Sequence, residues 1–162
     1  MTNDAPSPDS SEGSRYNYAF DPDQPTRDEL FPKDSTLGLF LSLTVGENEE
    51  PSDSQIGLTV NFNGLIVSGT VVHRQKWEEL FAEQVDRIVP QAKGLIGDAL
   101  ENFRSMEIQV NERRTRQGFP TLLGRHVYFT NATVHSSTGK FHAGLWHASL
   151  SDVSGWALGQ ID

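Results

Sequence analysis

The dipeptide Asn63-Gly64 constrains this chain more than any other feature, because β-forming residues lie on both sides of it. IGLTVNF precedes the dipeptide and LIVSGTVV follows it. Asn-Gly is typical of a type I′ turn, in which both central residues take a positive φ. We therefore predict a β-hairpin, and Gly69 in its second strand indicates a bulge or a close backbone approach. The alternate residues expected to share one face of the first strand are Ile56, Leu58, Val60 and Phe62.

Helical spacing follows this hairpin. From Arg74 to Val89, apolar residues recur every three or four positions, and Pro90 is expected to end or kink the helix. Its opposite side, expected to face solvent, consists of Glu78, Glu79 and Glu83. A second helix should place Leu95, Ile96, Leu100 and Phe103 on one side. Met106, Ile108 and Val110 alternate, so this helix could pass into a strand before a polar connector, NERRTRQGFP.

The remaining strands are predicted at both ends of the folded region. Leu37–Val45 reads as a first strand, because leucines alternate with other residues. Later, HVYFTNATV and FHAGLWHASL are joined by HSSTGK, and GWALGQI closes the chain. The predicted fold class is α+β: an antiparallel sheet of about five or six strands with two helices inserted after the first hairpin. A small SH3- or Sm-like barrel is one form such a sheet could take.

Charge divides the chain into two parts. Residues 1–55 hold twelve Asp and Glu against three Lys and Arg, whereas residues 56–162 hold ten of each. The first 35 residues also contain five of the eight prolines. We therefore expect a disordered acidic tail over residues 1–35 and a single α+β domain over residues 36–162. Within the tail, the alternating aromatics of RYNYAF, residues 15–20, are either incidental or a short segment that docks on a partner or on the domain itself.

Composition also excludes several classes of protein. The chain has no cysteine, which rules out disulfides and thiolate chemistry. No apolar run approaches the roughly 18–20 residues of a membrane helix, and no signal peptide is recognisable. Nucleic acid is not an expected partner, since the largest basic cluster is Arg113, Arg114 and Arg116. We expect a soluble cytoplasmic protein without a membrane partner.

The stretch HSSTGKFHAGLWH, residues 135–147, raises two chemical alternatives. A phosphate-binding loop would need Gly at Val134 and Ser or Thr at Phe141, so that alternative is rejected. A metal site is the second. His142 and His147 are five residues apart, which in a regular strand places them on opposite faces. A turn centred on Thr138-Gly139 would pair His135 with His142, and these two histidines could share a metal ion. No third ligand is evident, His126 included. We therefore favour the interpretation that the histidines are ordinary strand residues.

No catalytic pattern emerges. The chain lacks a Gly-x-Ser-x-Gly elbow, and Ser68 is better explained as a small residue in a strand than as a nucleophile. Trp146 and Trp156 lie near the ends of the last strands. Core packing explains at least one of these tryptophans, and the other could anchor an interface. We therefore predict no enzyme, and no catalytic, cofactor-binding or metal-binding residues.

Three blocks in order resemble a known family. They are LTVNFNGLIVSGTVVHRQKWEELF, then RHVYFTNATVHS, and finally LWHASLSDVSGWALGQI. Together they are similar to gas vesicle accessory protein U, over about residues 56–161. The matching residues are Val127, Phe129, Asn131 and Ala132, then Trp146, Leu150, Val153, Gly155, Trp156, Leu158 and Gly159. The chain departs from the family where Trp-Arg-Gly becomes Trp146-His147-Ala148, and the acidic residues 1–55 lie outside the pattern.

This resemblance implies a non-catalytic accessory protein without a cofactor, associated with the gas vesicles that give cells buoyancy. Its implied partners are gas vesicle shell or other accessory proteins, with self-association as a further expectation. It would bind these proteins or assembled vesicles and influence their assembly or clustering. The alternative is a small β-barrel that binds a ligand or RNA and is unrelated to gas vesicles. A third hypothesis is a hydrolase or metalloenzyme that uses the hairpin histidines.

Overall fold

The computed structural model describes residues 20–25, 34–46, 52–122 and 124–161. Within these ranges the fold is α+β, as predicted. It comprises the helices α1 (Ser35–Val45), α2 (Arg74–Ile88) and α3 (Leu95–Arg116), and the strands β1 (Ile56–Phe62), β2 (Leu65–Val71), β3 (His126–Ser136), β4 (Gly139–Ser149) and β5 (Val153–Leu158). Short 3-10 turns lie at Pro90–Ala92 and Leu150–Asp152.

The five strands form one antiparallel sheet in the order β4-β3-β2-β1-β5. Within the described ranges, β4 and β5 are its edges and do not pair with each other. The sheet is therefore open, and the barrel considered as one form of this fold is not the one adopted. Closure is unnecessary because helices cover the sheet instead of a second layer of strands.

The first hairpin is confirmed. Asn63 has φ 53° and Gly64 has φ 100°, as a type I′ turn requires. The Asn61 side chain accepts a hydrogen bond from the Gly64 amide at 2.7 Å, which fastens the turn. Leu58, Val60 and Phe62 are buried, so the predicted face of β1 is the core face.

The close approach at Gly69 is also confirmed. A Cβ at this position would lie 3.0 Å from the Thr130 carbonyl oxygen and 3.1 Å from the Ala132 Cα. The β2–β3 register shifts between Ser68 and Thr70 at the same point. On β3, Asn131 takes φ 53° and acts as the extra residue of a bulge.

The predicted strand Leu37–Val45 is wrong: these residues lie in helix α1. The Asp34 carboxylate accepts from the Leu37 amide at 2.9 Å and caps the helix. Leucines at every second position from 37 to 43 satisfy both a strand period and a helix period, because positions four apart are also apolar. Leu37, Leu41 and Val45 pack on the sheet and complete one core with the buried residues of β1, β2, β3 and β5. Half-buried residues of β4 pack against this core.

The helix prediction for Arg74–Val89 is confirmed by α2, and a 3-10 turn begins at Pro90. The second helix does not pass into a strand at Met106–Val110. It continues as α3 to Arg116, so most of the predicted connector NERRTRQGFP is helical. Of the three alternating residues, Met106 is exposed, whereas Ile108 and Val110 are half-buried on the other side of the helix. The last three strands agree with prediction within a few residues.

Most of the predicted disordered tail lies outside the described residues, including Tyr16 and Tyr18. Residues 20–25 are described. Asp21 is buried against α3, where it pairs with Arg114. This short stretch is therefore part of the folded unit, although the sequence placed it in the tail.

Candidate interaction surfaces

The hairpin histidines do not pair as the metal hypothesis requires. The β3–β4 turn contains Ser137 and Thr138, so His135 faces Lys140 and His142 faces Thr133. The predicted His135–His142 pair is therefore wrong. Across the part of the chain that the structure describes, no three His, Asp or Glu side chains are grouped to hold a metal ion.

The prediction that His142 and His147 lie on opposite faces is also wrong. Their partners are Thr133 and Tyr128, which both point away from the core. The bulge at Asn131 and the positive φ of Gly144 add residues to the strands between these pairs, which breaks the period of two. Both histidines thus belong to the face of the sheet opposite α1.

Aromatic rings gather on this second face, where α2 meets β3 and β4. The Trp77 ring lies 5.6 Å from Tyr128 and 5.0 Å edge-on from His147, between ring centroids. His126 and His147 are 5.5 Å apart. The Trp77 indole N–H donates to the Phe129 carbonyl oxygen at 3.1 Å. Trp77 therefore fastens α2 to the sheet by both ring contact and a hydrogen bond.

An ion network borders these rings. Glu78, expected in solvent, is buried, and Arg74 donates to it at 2.6 Å from Nε and to Glu107 at 2.5 Å. Arg104 on α3 lies 3.6 Å from the second Glu78 oxygen. The sequence missed this burial because three acidic residues on one helix resemble a solvated face. The network joins α2 to α3.

The titratable groups of this region are better explained by a structural role than by a role in proton transfer. Burial raises the pKa of Tyr128 to about 12, with a further rise from Glu78 and Glu107 against the opposing charge of Arg74. Burial, His147, Arg125 and Arg74 lower the pKa of His126 below its ordinary value. At neutral pH both side chains are uncharged, as expected for aromatic rings that pack beside the ion network.

The remaining candidates from the sequence are structural as well. Ser68 is buried, where its hydroxyl accepts from Thr59 and from the Ile161 amide. Trp146 and Trp156 both pack against the core cluster. The Trp156 indole donates to Asp34 at 2.8 Å and stacks on Phe40, which ties the start of α1 to β5. Neither tryptophan is an exposed interface anchor.

The outer face of α1 is apolar. Leu39 is 61% exposed and Leu43 is 77% exposed, one helical turn apart, while the inner leucines are in the core. No charged residue occurs anywhere in Ser35–Val45. Helices that are apolar on all sides are normally covered on all sides. We call Leu39 and Leu43 the α1 outer face.

A second apolar surface runs along α3. Leu95, Phe103 and Met106 are 63%, 58% and 63% exposed. Their spacing of eight and three residues places them on one side of the helix. We call these three residues the α3 stripe. The sequence had placed Leu95, Ile96, Leu100 and Phe103 together on one side of this helix. Ile96 and Leu100 are half-buried whereas Leu95 and Phe103 are exposed, so the four residues do not form one buried face.

The basic cluster is occupied by acidic residues of the same chain. Arg114 is fully buried and donates to Asp21 at 2.9 and 2.7 Å and to Asp23 at 3.0 Å. Arg113 donates to Asp23 at 2.5 Å. These contacts neutralise two of the three arginines in the largest basic cluster of the sequence.

Comparison with known protein families decides the identity. The family model described as gas vesicle protein GvpU-like matches residues 35–161. The chain belongs to the GvpU-like family. The match begins at the first residue of α1 and includes every strand of the sheet. Neither a curated protein nor a solved structure showed a significant match.

The family assignment confirms the resemblance drawn from the three sequence blocks over about residues 56–161. It extends that resemblance to α1, which the sequence blocks had not included. The described helices also contain none that is both long and apolar enough to cross a membrane. The two exposed apolar surfaces, α1 outer face and α3 stripe, both lie within the matched residues.

Proposed function

We propose that this GvpU-like protein is a non-catalytic accessory protein that binds gas vesicle proteins through the α1 outer face. The carrying observation is a helix without charge, packed on the sheet by one side and exposing Leu39 and Leu43 on the other. Through this contact it would associate with vesicles in the cytoplasm and influence their assembly or clustering.

The energetics favour contact with an apolar surface. Covering an exposed leucine side chain contributes about 1.5–3 kcal/mol. Two leucines give weak binding at a single site. A vesicle shell repeats its subunits, so copies bound side by side, or linked by self-association, gain from multivalency. Weak individual contacts and strong overall attachment are therefore compatible.

A non-catalytic role agrees with the chemistry of the second sheet face. Tyr128 and His126 are uncharged near neutral pH, and the adjacent carboxylates are engaged by arginines. The RNA-binding alternative has little support, since Arg113 and Arg114 are paired with Asp23 and Asp21. The open sheet also differs from the barrel on which that alternative rested.

Flotation with intact vesicles tests the proposal. The purified full chain is mixed with vesicles, the vesicles are floated by centrifugation, and the protein in the floating layer is measured. We expect the wild-type chain to float and Leu39→Asp/Leu43→Asp to stay below, because two charges on the α1 outer face oppose apolar contact.

The matched control is Phe103→Asp/Met106→Asp, which places the same two charges on the α3 stripe. This control is expected to float like the wild type. Loss of flotation in the control, with retention in the α1 variant, would move the binding surface to α3. Absence of flotation for the wild-type chain across a range of salt would contradict the proposed function itself.

A further inference from the structure

The α3 stripe continues toward an anchor that the chain itself supplies. Asp21 and Asp23 hold Arg114 and Arg113 in the last turns of α3. The Asp21 carboxylate also accepts from the Asp23 amide at 2.9 Å, which bends residues 20–25 into a compact turn. Arg114 completes its bonds with the Pro120 carbonyl oxygen at 2.8 Å. The preceding residues of the chain therefore leave from a fixed point.

That fixed point lies in line with the α3 stripe. Arg114 follows Phe103 by eleven residues, which is close to three full turns, so both lie on one side of the helix. Arg113 follows Met106 by seven residues, close to two full turns. The two arginines that hold the anchor thus mark the two borders of the apolar surface.

Chain length fits the same surface. Along α3, Met106 and Phe103 lie about 12 and 16 Å from Arg114 at roughly 1.5 Å per residue. An extended chain covers about 3.3 Å per residue, so Tyr18 and Tyr16 reach about 10 and 17 Å from Asp21. Phe20 is 78% exposed and does not cover the stripe. Both tyrosines are therefore within reach of this part of the stripe.

We infer that the α3 stripe is the docking surface for residues 15–19 of this same chain, with Tyr16 and Tyr18 lying on Phe103 and Met106. An extended segment presents alternate residues on one side, so both tyrosines can face the helix together. Tyrosine supplies a large apolar area while its hydroxyl stays in water. The docked segment covers a surface that would otherwise promote self-association.

This contact extends the folded unit beyond the family match, which begins at residue 35. It also separates the two apolar surfaces by role. The Phe103 and Met106 part of the α3 stripe is covered from within the chain, whereas the α1 outer face is left for partners. The inference does not require that α1 bind vesicles, because the docking contact lies within one chain.

Disulfide trapping in the full chain tests the inference. The chain has no native cysteine, so a disulfide can form only between the two introduced residues. Tyr18→Cys is combined with Met106→Cys, and monomeric cross-linked product is measured under a mild thiol oxidant. The matched control combines Tyr18→Cys with Glu112→Cys. Glu112 is exposed, lies closer to Arg114 along the helix, and faces away from the stripe.

We expect the Met106 pair to form about tenfold more monomeric disulfide than the Glu112 pair, which corresponds to about 1.4 kcal/mol of docking free energy. Equal yields would overturn the inference, because an undocked segment reaches the nearer position at least as often. A dimeric product at Met106 would also overturn it and assign the stripe to a second copy.

A second measurement avoids cysteine altogether. In the full chain, Tyr16→Ser/Tyr18→Ser keeps Asp21 and the anchor but removes the proposed cover. We expect several-fold more binding of a fluorescent dye that recognises exposed apolar surface, with an unchanged melting temperature. Unchanged dye binding would contradict docking on the stripe.

Discussion

The two faces of the sheet are covered by helices with different chemistry. On one face, α1 packs through Leu37, Leu41 and Val45 into a wholly apolar core. On the other, Trp77 fastens α2 to the sheet, and α3 is joined to α2 through the Arg74–Glu107 and Arg104–Glu78 pairs. The first attachment depends on buried area, and the second depends on directed bonds among a few side chains.

This difference determines which apolar residues each helix exposes to a second partner. An apolar helix packed by one side still has an apolar outer side, so α1 carries Leu39 and Leu43 into solvent. Polar attachment leaves α3 free to place its own apolar residues outward, beside an anchor made by Asp21 and Asp23.

The largest effect is expected on the apolar face. Leu37→Ala should lower the free energy of unfolding by about 2–5 kcal/mol, since it opens a cavity in the core. Leu39→Ala, on the same helix but outward, should change it by less than about 0.5 kcal/mol. Denaturant unfolding measures both. Similar losses for the two variants would contradict the assigned orientation of α1.

Gly69 tests how closely β2 and β3 approach in that core. Gly69→Ala should cost about 1–3 kcal/mol, because its Cβ meets backbone atoms that cannot move aside. A Cβ added at Gly155 in β5 would meet open space, so Gly155→Ala is the matched control. Thermal unfolding should separate the two variants, and an equally stable Gly69→Ala would mean that the bulge relaxes freely.

A smaller effect is expected on the second face. Trp77→Phe should lower stability by about 1 kcal/mol, since it removes the hydrogen bond to the Phe129 carbonyl oxygen. Trp146 is the comparison, because its indole nitrogen is buried and has no hydrogen-bond partner among the described residues. Trp146→Phe should therefore cost less. The reverse order in denaturant unfolding would contradict the role given to Trp77.

The smallest effect concerns pH and His126. Its pKa in the folded protein lies below the ordinary value of 6.5, because of burial and the electrostatic effect of the neighbouring His147, Arg125 and Arg74, opposed by Glu107. The unfolded chain then binds the proton more tightly, so stability is lost as pH falls below 6.5. His126→Gln should flatten this fall in unfolding titrations. An unchanged pH profile would exclude His126 as a source.

Much of the fold could be predicted because its signals are local. Asn63-Gly64 specifies its own turn, and the alternation of Leu58 and Val60 specifies the core face. α1 could not be assigned from periodicity, because its leucines satisfy two periods at once. Asp34, three residues before the first of these leucines, was the available sign of a helix start, since its carboxylate caps the helix.

The candidate surfaces depended on contacts that sequence patterns do not show. Asp21 and Arg114 are far apart in the chain, and no local pattern pairs them. The bulge at Asn131 changed which face His142 occupies, although β3 and β4 were both predicted as strands. Burial of Glu78 likewise depends on arginines supplied by two helices. Family resemblance came through the strands, whose residues and turns are locally specified.

The central claim is that the α1 outer face contacts the vesicle, and cysteine protection tests it most directly. Leu43→Cys and, separately, Phe103→Cys are treated with a maleimide, with and without saturating vesicles. The account predicts that vesicles slow the modification at position 43 several-fold and leave position 103 unchanged. Unchanged modification at position 43 in vesicle-bound protein, or protection at 103 alone, would contradict it.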